Sequence, residues 1–208
     1  MKTQIRLFTL LVIVVTLFSS GCMPRSYQEN ISKTKKSHYN NHLKSSNTEN
    51  FVYRVAKDSS KVTFKATKIY LATVQGSFTE FSGTIELNKS GKLSSIEGVI
   101  SVDSINTNDK ERDEKLLGPG YFNSKKFTEI TFRSKAVTKS SIKATLSIKG
   151  IEKDLDFQIE EFAANENQVH FTLSSVVNKE EFSLNGFMSL LIFNDIEVYA
   201  KIVATRLN

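Results

Sequence analysis

A two-residue alternation of apolar and polar side chains runs through most of the chain from Phe51 onward, and it strongly limits what the chain can fold into. Residues 142–148 (IKATLSI) show it most clearly. Because successive side chains of a β-strand point to opposite faces of a sheet, this period predicts strands with one buried and one solvated face. The same pattern recurs in residues 62–66, 84–87, 130–133, 155–159, 169–173 and 196–202.

One segment favours a helix instead of a strand. It covers residues 108–117 (NDKERDEKLL), and we expect it to stop at Gly118, because glycine supplies the left-handed conformation that closes many helices. Many short antiparallel strands and one short helix within the 158 residues 51–208 predict an all-β domain, either a barrel or a sandwich. Turn-forming residues separate the predicted strands at residues 88–91, 139–141, 150–153 and 165–167.

Residues 1–21 resemble the signal that exports a bacterial lipoprotein. Lys2 and Arg6 precede an apolar run over residues 7–18, and small residues follow at 19–21, which is the order found in secretory signals. Small residues before a cysteine also resemble the bacterial lipobox, in which the thiol is acylated and the signal is cut before the cysteine. Cys22 is therefore the predicted lipid anchor, with palmitate among the expected acyl chains.

Two details of this predicted anchor bear on where the protein resides. Ser19 stands where the lipobox usually has leucine, so an uncleaved anchor, or ordinary cleavage nearby that leaves a free thiol, are the alternatives. Met23 follows Cys22, so the acidic retention signal of inner-membrane lipoproteins of enteric bacteria is absent. We expect an exported protein held on a bacterial membrane facing the periplasm, with the outer membrane favoured.

Residues 22–50 are predicted to be a flexible, basic tether behind the anchor. They are rich in polar residues and show no apolar period, so they cannot bury enough surface to offset their ordering entropy. His38 and His42 are spaced as on one helix face, but solvated side chains are expected there rather than a metal site. The tether carries a net charge of +3 and the domain 51–208 only +1, so a basic nucleic-acid-binding face is not expected.

No catalytic or metal site is apparent in the predicted domain, and no cofactor is expected. His170 is its only histidine and should point outward, because its neighbours Val169 and Phe171 belong to the apolar face. No nucleophile elbow, phosphate loop or zinc-spaced cluster is present. The acidic residues of the helical segment alternate with basic ones, which is typical of a solvated helix face. These acidic residues are Asp109, Glu111, Asp113 and Glu114.

The predicted inward face is rich in phenylalanine. A barrel of about eight strands can be filled by such side chains or can hold a small ligand, and alternation alone does not distinguish these outcomes. The residues expected on this face include Phe64, Phe78, Ile85, Leu87, Phe132, Leu146, Ile148, Phe157 and Phe171.

Residues 101–135 (SVDSINTNDKERDEKLLGPGYFNSKKFTEITFRSK) resemble the signature of the YceI-like family, the lipocalin-like polyisoprenoid-binding proteins of bacteria. Three further pieces agree in order, and the resemblance covers nearly all of residues 53–207. These pieces are residues 74–83, residues 146–151 and residues 198–204.

The resemblance implies an antiparallel eight-stranded, lipocalin-like barrel with an elongated apolar tunnel for an isoprenoid or a similar amphiphile. It also implies a possible homodimer. Lys68 and the Lys179–Phe182 segment depart from the family's pattern, so no head-group residue is carried over. The predicted lipid-binding residues are Phe64, Phe78, Ile85, Phe132, Leu146, Phe157 and Phe171, with Tyr121 and Phe122 at the tunnel mouth.

Our hypothesis is a membrane-tethered protein that carries or sequesters a long-chain lipid and catalyses no reaction. Two alternatives stand beside it. One is an interaction module with a filled barrel and no ligand. The other is an enzyme on the same scaffold, using His170 or Asp113.

Overall fold

The computed structural model describes residues 50–69, 72–187 and 189–207. The predicted signal, the Cys22 anchor, His38, His42 and all of the tether except Asn50 lie outside the described residues.

The described chain is mostly β-strand, as the alternation predicts. Its α-helix, α1, spans Lys110–Leu117, and short 3-10 turns span Lys57–Ser59, Val102–Ser104, Lys179–Phe182 and Ser189–Leu191. The strands are β1 (Phe51–Val55), β2 (Lys61–Thr67), β3 (Thr73–Phe78), β4 (Phe81–Leu87), β5 (Leu93–Ser101), β6 (Ile105–Asn106), β7 (Glu129–Val137), β8 (Ser141–Ile148), β9 (Ile151–Ala164), β10 (Gln168–Asn178) and β11 (Asp195–Arg206).

Eight of these strands form a closed antiparallel ring, in the order β1-β4-β5-β7-β8-β9-β10-β11, with β11 pairing back to β1. The second half of β11 makes this closure, since Ala204 to Arg206 pair with β1. The first half, Glu197 to Lys201, pairs with β2 instead. The strands β2, β3 and β6 therefore extend the sheet from β11, and the prediction of an eight-stranded antiparallel barrel is confirmed.

The barrel has two ends with separate clusters of buried side chains. We call the end that carries α1, the β8–β9 turn and residues 179–187 and 189–194 the helix end, and the other the far end. Strand β10 connects them, because Gln168 lies opposite Thr205 and Asn178 lies opposite Asp195. The far-end cluster includes Tyr53, Ile85, Ile142, Val169 and Ala204, and the helix-end cluster includes Phe78, Val102, Ile130, Val177 and Phe182.

Helix α1 ends at the predicted residue but not in the predicted conformation. Gly118 follows the helix with φ −70° and ψ 168°, which is extended rather than left-handed. The physical reason is Pro119, because a proline disfavours helical and favours extended conformations in the residue before it. The left-handed residue of this region is Asn123, at φ 52°.

A polar cluster fixes α1 to the barrel. The Asp113 carboxylate accepts hydrogen bonds from the backbone N–H of Thr107 (3.0 Å) and from its hydroxyl (2.5 Å). The Arg112 guanidinium donates to the Thr107 hydroxyl and carbonyl oxygens, both at 2.8 Å. The predicted solvated face is formed by the exposed charged residues Lys110, Glu111, Glu114 and Lys115. The prediction is therefore wrong for Arg112 and Asp113, because they satisfy the polar groups of buried Thr107.

One turn lies slightly earlier than predicted. The β8–β9 hairpin turns at Lys149 and Gly150, both with positive φ (57° and 74°), and Ile151 already pairs with Ile148. Two central residues with positive φ are the geometry of a tight hairpin whose twist matches its strands. The predicted turn at residues 150–153 therefore shares only Gly150 with the turn in the structure.

Candidate functional site

A partly open cavity of about 250 Å³ lies within the barrel, and apolar side chains supply nearly all of its wall. This space is far larger than the roughly 30 Å³ that a water molecule occupies in the liquid. Apolar cavities of roughly 150 Å³ stay free of water and bind small hydrocarbons. The barrel is therefore not completely filled by its own side chains, and its free space suits an apolar molecule.

All nine residues predicted to line a tunnel are on the wall of this one cavity. Tyr121 and Phe122 reach it at the helix end, in the segment that follows α1. Ile85 and Phe171 reach it from the far-end cluster. The other five lining residues are Phe64, Phe78, Phe132, Leu146 and Phe157.

The phenylalanine rings on the wall contact one another at angles. Phe78 lies between Phe64 (ring centroids 5.8 Å apart, planes at 46°) and Phe122 (6.0 Å, 85°). Phe132 and Phe157 form a second edge-to-face pair at 5.0 Å and 82°. Tilted and edge-to-face pairs are favoured over face-to-face stacks, so these contacts favour the ring orientations seen along the wall.

Gly76 makes room for one of these rings. It lies directly opposite Phe64 in the β2–β3 pair. A Cβ at residue 76 would overlap the ring of Phe64. A glycine inside a strand often marks such a close approach, so the sequence carried a signal for this part of the wall.

Sequence reasoning missed other residues of the wall. Ile196, Val198 and Ile202 follow the same two-residue period as the selected ones and could have been included. Leu184 and Ile192 lie in an irregular segment, where no period indicates which side chains face inward.

Lys179 is the one charged residue among the buried side chains of the described chain. It begins the 3-10 turn after β10, is 6% exposed, and contributes to the cavity wall. Its Nζ donates a hydrogen bond to the Asn194 side-chain oxygen at 2.8 Å, and its backbone N–H donates to the Asn194 carbonyl at 2.8 Å. No sequence pattern indicated that this lysine would be buried.

The groups with shifted pKa values belong to ion pairs on the outside of the sheet. The hydrogen bond from Lys65 Nζ (2.9 Å) lowers the pKa of Glu197, and the Tyr199 hydroxyl adds a second bond at 2.8 Å. A hydrogen bond from Lys135 likewise lowers the pKa of Asp154. These side chains are exposed to a third or more, which is typical of solvated strand pairs rather than of a catalytic cleft.

His170 lies on β10 opposite Val203 and is exposed, as predicted. Asp113 is bound to Thr107 and is absent from the cavity wall. Within residues 50–69, 72–187 and 189–207, no group of three or more His, Cys, Asp or Glu side chains is placed to hold a metal ion.

The helix end exposes a group of large apolar side chains. Phe187 is 96% exposed and Leu190 86% exposed, and Ile69, Leu191 and Phe193 are also exposed. Two backbone hydrogen bonds join the loops that carry them, from Ile69 to Leu191 (3.1 Å) and from Phe193 to Thr67 (2.9 Å). The described helices include none that is long and apolar enough to cross a membrane.

Comparison with known proteins gives consistent matches. Residues 53–204 match the family model described as the YceI-like domain. UPF0312 proteins of Staphylococcus aureus are 28% identical over 134 residues, which cover 61% of this chain and 78% of the relative.

Solved structures with this fold come from several bacteria. BcnA of Burkholderia cenocepacia superimposes with a TM-score of 0.66 at 21% identity, covering 73% of this chain and 99% of BcnA. A polyisoprenoid-binding domain from Saccharophagus degradans superimposes with a TM-score of 0.60 at 14% identity, and the match covers 74% of this chain and 98% of that domain. The YceI protein of Campylobacter jejuni superimposes with a TM-score of 0.57 at 23% identity, and the match covers 66% of this chain and 87% of the Campylobacter protein.

Proposed function

The chain belongs to the YceI-like family, and from that premise we propose that it binds an isoprenoid or another long-chain amphiphile inside the barrel and carries or sequesters it at a membrane. The observation that carries this proposal is the apolar cavity within a closed ring of strands. A filled barrel that serves only as an interaction module would not need this free space. The similarity to a polyisoprenoid-binding domain supports an isoprenoid tail as the ligand.

The wall fits a ligand that is recognised by its shape and length. Each methylene group of a buried tail contributes about 0.8 kcal/mol, so a tail of ten such groups contributes roughly 8 kcal/mol before the cost of ordering. The fixed phenylalanine rings give the wall a defined shape without a hydrogen-bond requirement. Such a site needs no nucleophile or metal, and we propose no covalent chemistry.

The attachment to a membrane is the second part of the proposal. Acylation at Cys22 would hold the protein stably if two or more chains are attached, and the basic tether would add roughly 1 kcal/mol of attraction per lysine or arginine near an anionic surface. A tether of this length has a mean span of about 30 Å. The barrel would then remain close to the membrane in which its ligand dissolves.

The test of lipid binding is organic extraction and native mass spectrometry of the purified full-length chain. We expect a long-chain lipid to be released in about a one-to-one ratio, and a delipidated sample to take up a C40 polyprenol. A protein that is empty as isolated, and that takes up neither the polyprenol nor an isoprenoid quinone, would contradict the proposed function.

The anchor is tested separately by labelling cells with radioactive palmitate. We expect label on the wild-type chain and none on Cys22→Ser, which also should leave the membrane fraction. An unlabelled wild-type chain would remove the anchor from the proposal and leave lipid binding intact.

A further inference from the structure

The exposed apolar side chains of the helix end form a group rather than isolated points. Five of the ten large apolar side chains that are exposed among the described residues lie there, and they include the two most exposed, Phe187 and Leu190. Single exposed apolar residues are common on protein surfaces, whereas a group of them marks a surface that binds another molecule or a membrane. We call this group the loop surface, and its members are Ile69, Phe187, Leu190, Leu191 and Phe193.

Backbone hydrogen bonds hold the loop surface in place. The turn that carries Phe187 is closed by a bond from the Ser189 N–H to the Gly186 carbonyl at 2.8 Å. Ser189 is buried, and its hydroxyl donates to the Leu184 carbonyl at 3.3 Å. The two backbone bonds described above join the same segment to the end of β2 and the loop that follows it. The apolar side chains are therefore held at the surface by the fold of a bonded segment.

The segment that carries the loop surface also supplies part of the cavity wall. Leu184 and Ile192 line the cavity, although exposed members of the loop surface lie between and beside them in the chain. Gly186 packs so closely against the ring of Tyr121, another wall residue, that a Cβ at residue 186 would overlap this ring. The loop surface and the cavity are thus two sides of one layer of chain at the helix end.

The chemistry of the loop surface favours a lipid bilayer as its partner. Residues 182–193 contain no charged residue, and the Phe187 side chain projects into solvent with 96% of its surface exposed. A protein partner, including a second copy of this chain, would need a pocket of matching shape for such projecting side chains. A bilayer needs none, and phenylalanine and leucine side chains enter the boundary between its head groups and acyl chains. The ligand of the proposed function dissolves in that same phase.

The predicted tether is long enough to allow this orientation. Strand β1 begins at the far end, since Tyr53 lies opposite Arg206, so the chain that leads to Cys22 joins the domain at the end opposite the loop surface. The 11 residues of β10 span about 36 Å of the barrel. Residues 23–50 reach roughly 90 Å when fully extended. An anchor at Cys22 therefore leaves the loop surface free to face the same membrane.

We propose that the loop surface docks the helix end of the barrel on a lipid bilayer, with Phe187 and Leu190 entering the acyl-chain boundary. This contact is distinct from the predicted Cys22 anchor, and the choice of a bilayer over a protein partner rests on the proposed lipid-binding function. Burial of apolar surface drives such docking, so it should occur on uncharged phosphatidylcholine. Attraction of the basic tether, in contrast, requires anionic lipids.

The experiment uses the absence of tryptophan from the sequence. Phe187→Trp in the full-length chain gives one fluorescent reporter on the loop surface. Phe162→Trp is the matched control, because Phe162 is also exposed but lies opposite Phe171 toward the far end. Each protein is mixed with phosphatidylcholine vesicles whose acyl chains carry bromine, which quenches tryptophan. We expect a blue shift and loss of intensity at residue 187, and neither at residue 162.

A second variant tests whether the apolar side chains drive the docking. Leu190→Ser in the Phe187→Trp background should lower the ratio of docked to free barrels about tenfold, because burial of an apolar side chain of this size contributes roughly that factor. Leu207→Ser, at an exposed leucine of the far end, should leave the ratio unchanged. Both leucines are exposed, so thermal unfolding of the two variants should match that of their parent.

Three results would overturn the inference. The first is equal quenching at residues 187 and 162, including none at either. The second is a blue shift at residue 187 that needs no vesicles and grows with protein concentration, because a second copy of the chain would then cover the surface. The third is quenching that is complete at an equimolar amount of brominated lipid, which would assign the signal to a lipid inside the barrel.

Uptake of polyprenol is measured separately, so the two proposals fail independently. Docking without uptake would remove the proposed function and leave the loop surface as a membrane contact. Uptake without docking would remove the loop surface and leave lipid binding intact.

Discussion

Replacing Gly76 with alanine tests the packing of the cavity wall at the helix end. A Cβ at this position would lie 2.6 Å from Cε1 of Phe64 and 2.9 Å from Cγ2 of Thr107. Carbon atoms in ordinary contact are about 3.5–4.0 Å apart, so the ring or the strand would have to move. Phe78 limits that movement, because its ring lies 5.8 Å from that of Phe64.

The expected magnitude follows from two opposing effects. Overpacking of this kind costs about 1–3 kcal/mol. Alanine also restricts the unfolded chain more than glycine does, which stabilises the folded state by about 0.4–1 kcal/mol. We therefore expect Gly76→Ala to lower the free energy of unfolding by about 1–2 kcal/mol.

Urea unfolding of the full-length chain measures this change, and Gly98 provides a matched control. Gly98 also lies in a strand of the cavity wall, but a Cβ there would meet Ser82 O at 3.7 Å and Phe132 Cβ at 3.9 Å, which are ordinary contacts. Neither glycine has a positive φ. Gly98→Ala should thus be neutral or up to about 1 kcal/mol more stable. Equal stability of the two variants would refute the reasoning, and Phe64→Leu should restore stability in the Gly76→Ala background.

Three further predictions concern stability, each measured by denaturant unfolding. Ile142→Ala removes a side chain with no exposure, so it should cost about 2–5 kcal/mol. Asp113→Ala leaves the Thr107 N–H without its acceptor, so it should cost about 1–3 kcal/mol. Asp154→Asn should lower the free energy of unfolding at neutral pH but not at about pH 2. The Lys135 hydrogen bond lowers the Asp154 pKa below its ordinary 3.8, so its stabilisation is present above that pH and lost as pH falls through the folded-state pKa.

Exposed residues supply the controls for this group. Phe187→Ser and Glu114→Ala change side chains that face solvent, so each should stay within about 0.5 kcal/mol of the wild type. If Glu114→Ala lowered the free energy of unfolding as much as Asp113→Ala, the negative charge of the helix, and not the contact with Thr107, would stabilise the helix end of the barrel. A difference between Asp154→Asn and the wild type that persists at low pH would contradict the ion-pair explanation.

Much of the barrel was predictable because a strand imposes a strict geometric rule. In residues 142–148 the apolar side chains had to share one face, and the structure buries all four of them. The same rule selected seven residues that lie on one cavity wall, whereas Tyr121 and Phe122 on that wall were predicted from their place after the helix. Their function as a lipid-binding surface stays a prediction.

Two local details around α1 differ from the prediction, although they involve residues close together in the chain. The helix was expected to be solvated, yet Arg112 and Asp113 bind Thr107, because the satisfaction of a buried polar residue depends on which groups the fold brings near it. The conformation of Gly118 differed because the following proline outweighed the general preference for a left-handed stop.

The sequence by itself determined that the domain is all-β, which face of the seven alternating segments points inward, and which family the chain resembles, because period and motif order are properties of neighbouring residues. Only the tertiary structure decided that β11 closes the ring with β1 while also pairing with β2. Only the tertiary structure decided that the side chains inside the barrel leave part of its interior empty, and that Lys179 is buried at the helix end. The physical reason is that closure, packing and burial depend on contacts between segments far apart in the chain, which no local pattern records.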